Sequence, residues 1–378
     1  MNKKLIAAAV AAGLAAPMMA AHAEVSVYGI AQLELVNTSP NTGNSTTEVK
    51  DSKNSRIGVR WSEDLGDGLK AIGEFEWGPN LLDASVKDTC TTTATVGTAT
   101  TAATCTPGKS NANGLYARQQ WLGMSGGFGE LQVGTVLQPY KYSGGVKYDA
   151  FVATQAEARG GDGGMLKSGF GQGGYFANAI AYKKSFGAMS FWAAYSPEQR
   201  SDSGNVYPGA KGDLMASFVF KFGKGEAGVA YAKNNNASGT TGADGQANTK
   251  VFGKYGFGNS TILAQYEAST SNGSSQEGAL LKNGSTTEYT DMNVWFLGYQ
   301  LKLPAMNTLI VQYGVTSFSD NNQENINYAA IGVRHNFSKN TSAFLAYRNT
   351  TQDAFTQGAT SYAKVDNSVI TLGLTEKF

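Results

Sequence analysis

Hydrophobic and polar residues alternate with a period of two along most of the chain after residue 23. In the segment 24–35, one face carries Val25, Val27, Ala31, Leu33 and Leu35, and the other carries Glu24, Ser26, Tyr28, Gln32 and Glu34. The pattern recurs at 56–61, at 69–77 and at the carboxyl end, where the apolar face carries Ile370, Leu372, Leu374 and Phe378. Because successive side chains of a strand point to opposite sides, this pattern predicts strands with one apolar and one polar face.

Short and long polar connections alternate between these predicted strands. The seven short turn candidates are 63–68, 126–129, 185–187, 223–225, 257–259, 303–307 and 338–340. The eight longer loops lie near 37–54, 78–114, 139–175, 196–212, 234–248, 270–288, 318–325 and 350–364. Seven short and eight long connections join 16 strands.

An even strand number, with short turns at one end and long loops at the other, is typical of barrels that cross an outer membrane. A closed barrel also accounts for a hydrophobic strand that ends in Phe378, because that strand is paired on both edges and its apolar face meets lipid. The predicted fold is all-β: a 16-stranded antiparallel transmembrane β-barrel with short periplasmic turns and long external loops. Sixteen to 18 strands leave an aqueous channel, whereas about eight are filled by side chains.

The first 23 residues have the features of a cleaved secretory signal peptide. Lys3 and Lys4 precede a short apolar stretch at 5–16, and residues 21–23 read Ala-His-Ala, which fits the small-x-small cleavage pattern. We therefore expect two parts, a signal peptide at 1–23 and one barrel domain at 24–378, located in the outer membrane of a Gram-negative cell.

Composition narrows the classes of partner. Removing Lys3 and Lys4 from 30 basic residues leaves 28 against 29 acidic residues, a net charge of −1. Such a balance makes nucleic acid an unexpected partner. No run of 18 apolar residues follows residue 23, so no transmembrane helix is predicted. Aromatic residues at strand ends fit interfacial girdles or subunit contacts: Trp77, Trp121, Tyr195, Tyr231, Tyr255, Tyr299, Tyr313 and Tyr347.

The only two cysteines, Cys90 and Cys105, lie in one Thr/Ala-rich loop. In an exported chain we expect them to form a disulfide that closes this loop, the alternative being two free thiols.

The third long loop, 139–175, is the most unusual connection and the first candidate for function. If it folds inward, its acidic residues Asp149, Glu157 and Asp162 can face a basic wall formed by Arg56, Arg60 and Lys70. Opposed charges across a water-filled constriction set ion preference. The alternative is that these acids only solvate an external loop.

The sequence contains no convincing catalytic motif or metal-binding motif. Residues 123–127 match the G-x-S-x-G nucleophile pattern, but they enter a hairpin turn, and His335 is the only histidine after residue 23. One histidine and two loop cysteines do not make a metal site of recognised spacing. The polar segment 320–324 is better explained as a hairpin tip than as a cation site. We expect no enzyme activity, no metal and no cofactor.

Four stretches carry a resemblance to a known family: 24–30, 55–71, 119–131 and the terminal Phe378. On these the chain resembles general trimeric porins of Gram-negative bacteria, nearest the neisserial and β-proteobacterial branch. The resemblance implies a homotrimer of 16-stranded barrels in outer-membrane lipid and lipopolysaccharide, each with an infolded third loop. It implies passive diffusion of ions and small hydrophilic solutes, a basic wall at Arg56, Arg60 and Lys70, and Phe378 as the carboxyl-terminal assembly signal.

The chain departs from that family at two positions. Where relatives often carry arginine on the strands flanking the third loop, Gln132 and Ala181 stand here. Fewer wall cations, together with the acids of the loop, favour a slight cation preference. Two alternatives stay open: a substrate-selective channel of the same fold, and a non-conducting surface or adhesin barrel. The single histidine after residue 23 argues against a third, an outer-membrane barrel enzyme.

Overall fold

The structure is a computed structural model that describes residues 23–41, 43–51, 54–82, 89–91, 104–106, 115–158, 174–197, 212–233, 247–270, 291–319, 323–357 and 360–378. The predicted signal peptide lies almost wholly outside the described residues and stays a prediction. Among the described residues, no helix has the length and apolar character needed to cross a membrane.

Most described residues belong to long antiparallel strands. The strands are β1 (Glu24–Pro40), β2 (Thr46–Asp51), β3 (Arg56–Gly66), β4 (Leu69–Pro79), β5 (Thr89–Thr91), β6 (Thr104–Thr106), β7 (Leu115–Gly126), β8 (Gly129–Leu137), β9 (Tyr175–Phe186), β10 (Met189–Ser196), β11 (Asp213–Phe222), β12 (Gly225–Lys233), β13 (Ala247–Phe257), β14 (Ser260–Thr270), β15 (Met292–Leu303), β16 (Asn307–Phe318), β17 (Ile326–Asn336), β18 (Thr341–Gln352), β19 (Phe355–Gln357), β20 (Thr360–Tyr362) and β21 (Val365–Lys377). Two single-turn helices, α1 (Pro139–Tyr142) and α2 (Gly145–Tyr148), follow β8.

The strands close into one barrel. Residues 24–30 of β1 pair with β3, and residues 33–38 of β1 pair with β2. Strands β2 and β3 are therefore two parts of one interrupted barrel strand. On its other edge β1 pairs with β21 from Ile30↔Lys377 to Pro40↔Asn367. The hairpins β5–β6 and β19–β20 form separate sheets in the loops. When β2 and β3 are counted as one strand, the 17-stranded sheet is a barrel of 16 strands, which confirms the predicted fold.

The seven short turns all lie at one end of the barrel, as the sequence predicts. The loop predicted at 37–54 is shorter than expected, because β1 continues to Pro40 and β2 begins at Thr46. Cross-strand pairs such as Asn37 with Thr47, joined by a 2.9 Å hydrogen bond between side chains, continue the strand pairing into the segment that was predicted to be loop. The strands are therefore longer on this side than polarity alone indicates.

The outer face of the barrel is apolar and its inner face is polar. Along β21, Leu372 is 52% exposed, whereas its neighbour Thr371 is fully buried and donates a 2.6 Å hydrogen bond to Glu34. This alternation confirms the facing predicted for the last strand. Exposed aromatic residues form two rings around the outside of the barrel. The ring near the short turns consists of Phe128, Phe186, Phe220, Phe222, Tyr255, Phe257, Phe337 and Phe378. The ring near the long loops consists of Tyr195, Tyr231, Trp295, Tyr313 and Tyr347.

The predicted outward position of Trp121 is wrong. Trp121 pairs with the inward-facing Glu74 and is only 8% exposed. The register of β4 against β7 shifts between Phe75 and Trp77, and such a bulge changes which residues point inward. Simple alternation counted through this region therefore fails.

The carboxyl terminus closes the barrel at Gly29. The Phe378 amide donates to the Gly29 carbonyl at 3.1 Å, and the Gly29 amide donates to the Phe378 carbonyl at 2.9 Å. The Phe378 ring lies directly over Gly29, where an added Cβ would come within 2.1 Å of the ring. Glycine at position 29 thus makes room for the terminal aromatic ring.

The predicted disulfide lies in the hairpin β5–β6. The backbone register places Cys90 opposite Cys105. Their side chains lie outside what the structure describes, so the bond stays a prediction that this register supports.

Candidate functional site: the barrel lumen

The described part of the third long loop, 139–158, lies inside the barrel against the wall formed by β11–β14. Tyr140 donates a 2.8 Å hydrogen bond to Glu267, and Tyr148 donates one of 3.4 Å to Glu226. The Gly145 amide donates to Gln265 at 2.6 Å. Both tyrosine side chains are fully buried, so the loop is packed against this wall rather than extended into solvent.

The distal part of this loop is held by other strands. The Gln155 amide donates to Glu34 on β1 at 2.9 Å, and Gln32 donates to the Ala153 carbonyl at 2.8 Å. On β17, Tyr328 donates to the Ala156 carbonyl at 2.6 Å. Contacts at both ends of the described segment fix its course across the lumen.

Local sequence explains how the loop turns inward. Pro139 occupies the first turn of α1, where its missing N–H costs no helical hydrogen bond. Gly144 then has φ 71°, a conformation that favours glycine. A Cβ at this position would lie 2.6 Å from the Phe252 ring, so the backbone here comes within contact of β13.

Burial changes the acid–base properties of the loop tyrosines. It raises the pKa of Tyr142, and it raises the pKa of Tyr148, with the Glu226 carboxylate acting in the same direction. Both phenols stay neutral at ordinary pH, and Tyr148 can therefore act as a hydrogen-bond donor to its wall acid.

The three predicted loop acids have different positions. Asp149 is buried and accepts hydrogen bonds from the Phe151 amide at 3.0 Å and the Ala158 amide at 2.8 Å. Glu157 accepts from the Ala153 amide at 2.8 Å. Asp162 lies outside the described residues. Asp149 and Glu157 thus organise the loop backbone, which a reading of charge alone does not anticipate.

The three residues of the predicted basic wall lie in two separate regions of the barrel. Arg60 lies 3.1 Å from Glu74 and 4.0 Å from the centre of the Tyr28 ring, and Arg56 lies 3.9 Å from Glu76. Lys70 is exposed next to the short turn and pairs across the strands with Asp64. Arg56 and Arg60 therefore share one charged cluster, and Lys70 is nearer the barrel rim.

Sequence reasoning missed Arg118 as a member of this cluster. Arg118 is 7% exposed, donates a 2.6 Å hydrogen bond to Glu76 and lies 5.2 Å from the centre of the Tyr175 ring. Polar residues at 118–120 in an otherwise alternating strand were the available signal. Two acids and three arginines thus alternate on β3, β4 and β7, so much of the positive charge is compensated.

The two departures from the family pattern lie side by side. Gln132 on β8 pairs directly with Ala181 on β9, and both are buried. Gln132 donates a 2.6 Å hydrogen bond to Glu130. Within the described chain, no cluster of three or more metal-ligating side chains is found.

Comparison with known proteins decides the family. A family profile described as Gram-negative porin matches residues 7–354, most of the chain. The chain belongs to the Gram-negative porins. This porin therefore lies in the outer membrane, in a family of channels rather than enzymes.

Individual relatives are also outer membrane proteins, and they match only part of this chain at about 30% identity. The porin is similar to the major outer membrane protein P.IB of Neisseria gonorrhoeae, with 30% identity over 151 residues. That match covers 38% of this chain and 34% of the relative, about a third of its length.

Solved structures share the fold at low identity. An anion-selective porin from Comamonas acidovorans has a TM-score of 0.69 and 19% identity, covering 94% of this chain and 100% of that one. The trimer form of OmpT from Vibrio cholerae has a TM-score of 0.57 and 15% identity, covering 94% and 99%.

Proposed function

We propose that this porin is a pore for passive diffusion of ions and small hydrophilic solutes, narrowed by the third loop. The observation that carries the proposal is the course of residues 139–158, which are hydrogen-bonded to β1, β12, β14 and β17 inside a 16-stranded barrel. A barrel of this size leaves an aqueous channel. A loop bound across it reduces the opening without filling it.

The opening lies along the wall formed by β3, β4, β7, β8 and β9. Arg60, on this wall, keeps 54% of its side chain exposed, although its partner Glu74 is nearly buried. In contrast, the loop covers Glu226 and Glu267 on the other side. A partly hydrated arginine in the lumen is consistent with a water-filled path next to it.

The proposed ion selectivity is weak and slightly cationic. Arg56, Arg60 and Arg118 each lie beside Glu74 or Glu76, which leaves little uncompensated positive charge on the wall. Glu157 adds negative charge from the loop, whereas Asp149 is buried against the loop backbone. Rings of fixed charge set ion preference, so a nearly balanced lumen gives a small preference.

We further propose a homotrimer, which is supported by family membership and by the trimeric neighbour from Vibrio cholerae. In a trimer, three pores insert together.

Single-channel recording in a planar bilayer under a salt gradient tests these proposals. The expected result is conductance in steps of three, with a reversal potential that slightly favours cations. A reversal potential favouring anions would refute the selectivity, and single steps would refute the trimer. Absence of conductance would refute the pore and favour a non-conducting barrel with a surface or adhesive role.

A further inference from the structure

A recess of about 500 Å³ lies in the inner wall, outside the contacts that hold the third loop. Its lining comes from β1, β3, β4, β7, β8 and β9, and its charged side chains are Glu24, Arg60, Glu74, Glu130 and Lys183. Glu130 directly follows the short turn between β7 and β8, which places the recess in the periplasmic half of the lumen. The volume is within the range of small-molecule sites, about 300–1,000 Å³.

The charged groups around the recess carry both signs. Lys183 lies 3.6 Å from Glu130, and Arg60 lies 3.1 Å from Glu74. Both pairs line the same recess, so they face one space. The recess therefore presents two basic and three acidic side chains to a solute.

Arg60 and the Lys183–Glu130 pair are partly hydrated, whereas Glu74 is nearly buried. Arg60 is 54% exposed, and Lys183 and Glu130 are 32% and 33% exposed. In the described part of the chain, the partners of Arg60, Glu74, Glu130 and Lys183 lie on the barrel wall. Besides the two ion pairs, these partners are Tyr28, Gln119, Gln132 and Trp192. The Lys183–Glu130 pair is partly exposed on both sides and contributes little stability, so exchanging one of its partners for a solute group costs little.

The surrounding groups give the recess a fixed shape. Gln119 donates to Glu74 at 3.0 Å, Gln132 donates to Glu130 at 2.6 Å, and Trp192 lies 4.7 Å from the Lys183 ammonium. Trp121 also lines the recess, and its buried indole N–H has no acceptor among the described residues. The acids are thus oriented by amides before any solute arrives.

We propose that this recess is a binding site for small zwitterions, with the solute carboxylate at Arg60 or Lys183 and its ammonium at Glu130. A solute of one sign meets both attractive and repulsive side chains here. A zwitterion places each end on the opposite charge and gains two charge-assisted contacts. This inference deepens the proposed pore function by naming a solute class that the lumen retains.

A series of four-carbon solutes tests the proposal by equilibrium binding to the refolded porin. Saturation-transfer NMR compares 4-aminobutanoate with butanoate, butylammonium and 1,4-butanediol, which share a skeleton and differ in charge. We expect 4-aminobutanoate to bind about tenfold more tightly than either singly charged solute, the difference made by one charge-assisted contact. Equal binding of the zwitterion and the singly charged solutes would overturn the proposal.

The double variant Lys183→Gln with Glu130→Gln removes one pair and leaves the net charge unchanged. We expect it to lose about tenfold in affinity for 4-aminobutanoate. The matched control, Lys364→Gln with Asp353→Asn, removes an external pair 2.9 Å apart and keeps wild-type binding. Undiminished binding by the first variant, confirmed as folded by heat-modifiable gel mobility, would place the zwitterion elsewhere and refute the site.

Bilayer currents separate this proposal from the pore itself. Binding in solution with no current would leave the recess standing and refute the pore. Current in KCl without selective binding of 4-aminobutanoate would support the pore and refute the recess.

Discussion

Replacing Leu372 with arginine tests how the last strand lies in the membrane. Leu372 is 52% exposed on the outer face of β21, between Ile370 at 50% and Leu374 at 55%. An arginine at the middle of the bilayer destabilises an outer-membrane barrel by about 2–4 kcal/mol, and near the interface by about 0–1 kcal/mol. The position of Leu372 between the two aromatic rings therefore sets the expected cost.

The depth follows from strand geometry. Ile370 pairs with Tyr347, which belongs to the aromatic ring near the long loops. Phe378 belongs to the aromatic ring near the short turns. With a rise of about 3.4 Å per residue and a tilt of about 40°, each residue moves about 2.6 Å along the membrane normal. Leu374 then lies midway between the rings, and Leu372 about 5 Å from that midpoint. We expect costs near 2–4 kcal/mol at Leu374 and about 2 kcal/mol at Leu372.

The assay is equilibrium unfolding by denaturant in lipid vesicles, followed by tryptophan fluorescence and by heat-modifiable gel mobility. Leu372→Met is the matched control, expected to cost less than about 1.5 kcal/mol because volume and polarity are conserved. Ile370→Arg, level with Tyr347, should cost about 0–1 kcal/mol. A cost that is flat across the three arginine positions, or zero at Leu372, would show that this face of β21 does not meet lipid.

Three further predictions concern the lumen and the external hairpin. Gly144→Val adds a Cβ against the Phe252 ring at a residue with positive φ. The variant should release the third loop from the wall and raise single-channel conductance. Unchanged conductance would refute the packing of Gly144 against Phe252. Glu76→Ala leaves the buried Arg118 without its 2.6 Å partner and should destabilise the barrel by about 3 kcal/mol in denaturant unfolding, with Glu76→Gln as a milder control. Reducing the cysteine pair of the β5–β6 hairpin should leave the barrel and trimer intact on gels, and loss of the trimer would mean that the hairpin holds a neighbouring subunit.

The lumen illustrates where sequence reasoning reached its limit. Alternation correctly put Arg60 and Glu74 on the polar face, because that depends only on neighbours along a strand. It did not reveal that Arg118 joins Glu76, since these residues are 42 positions apart and meet through the pairing of β4 with β7. It also treated Asp149 as a pore charge, although the loop backbone surrounds it.

The sequence by itself determined the strand number, the sorting of short turns and long loops, and the outward face of the last strand. These properties follow from local rules of alternation and turn chemistry, which need no knowledge of distant residues. Only the tertiary structure decided the course of the third loop, the reversal at Trp121 and the pairing of wall arginines with acids. Each of these depends on contacts between residues far apart in the chain, and such contacts exist only once the barrel has closed.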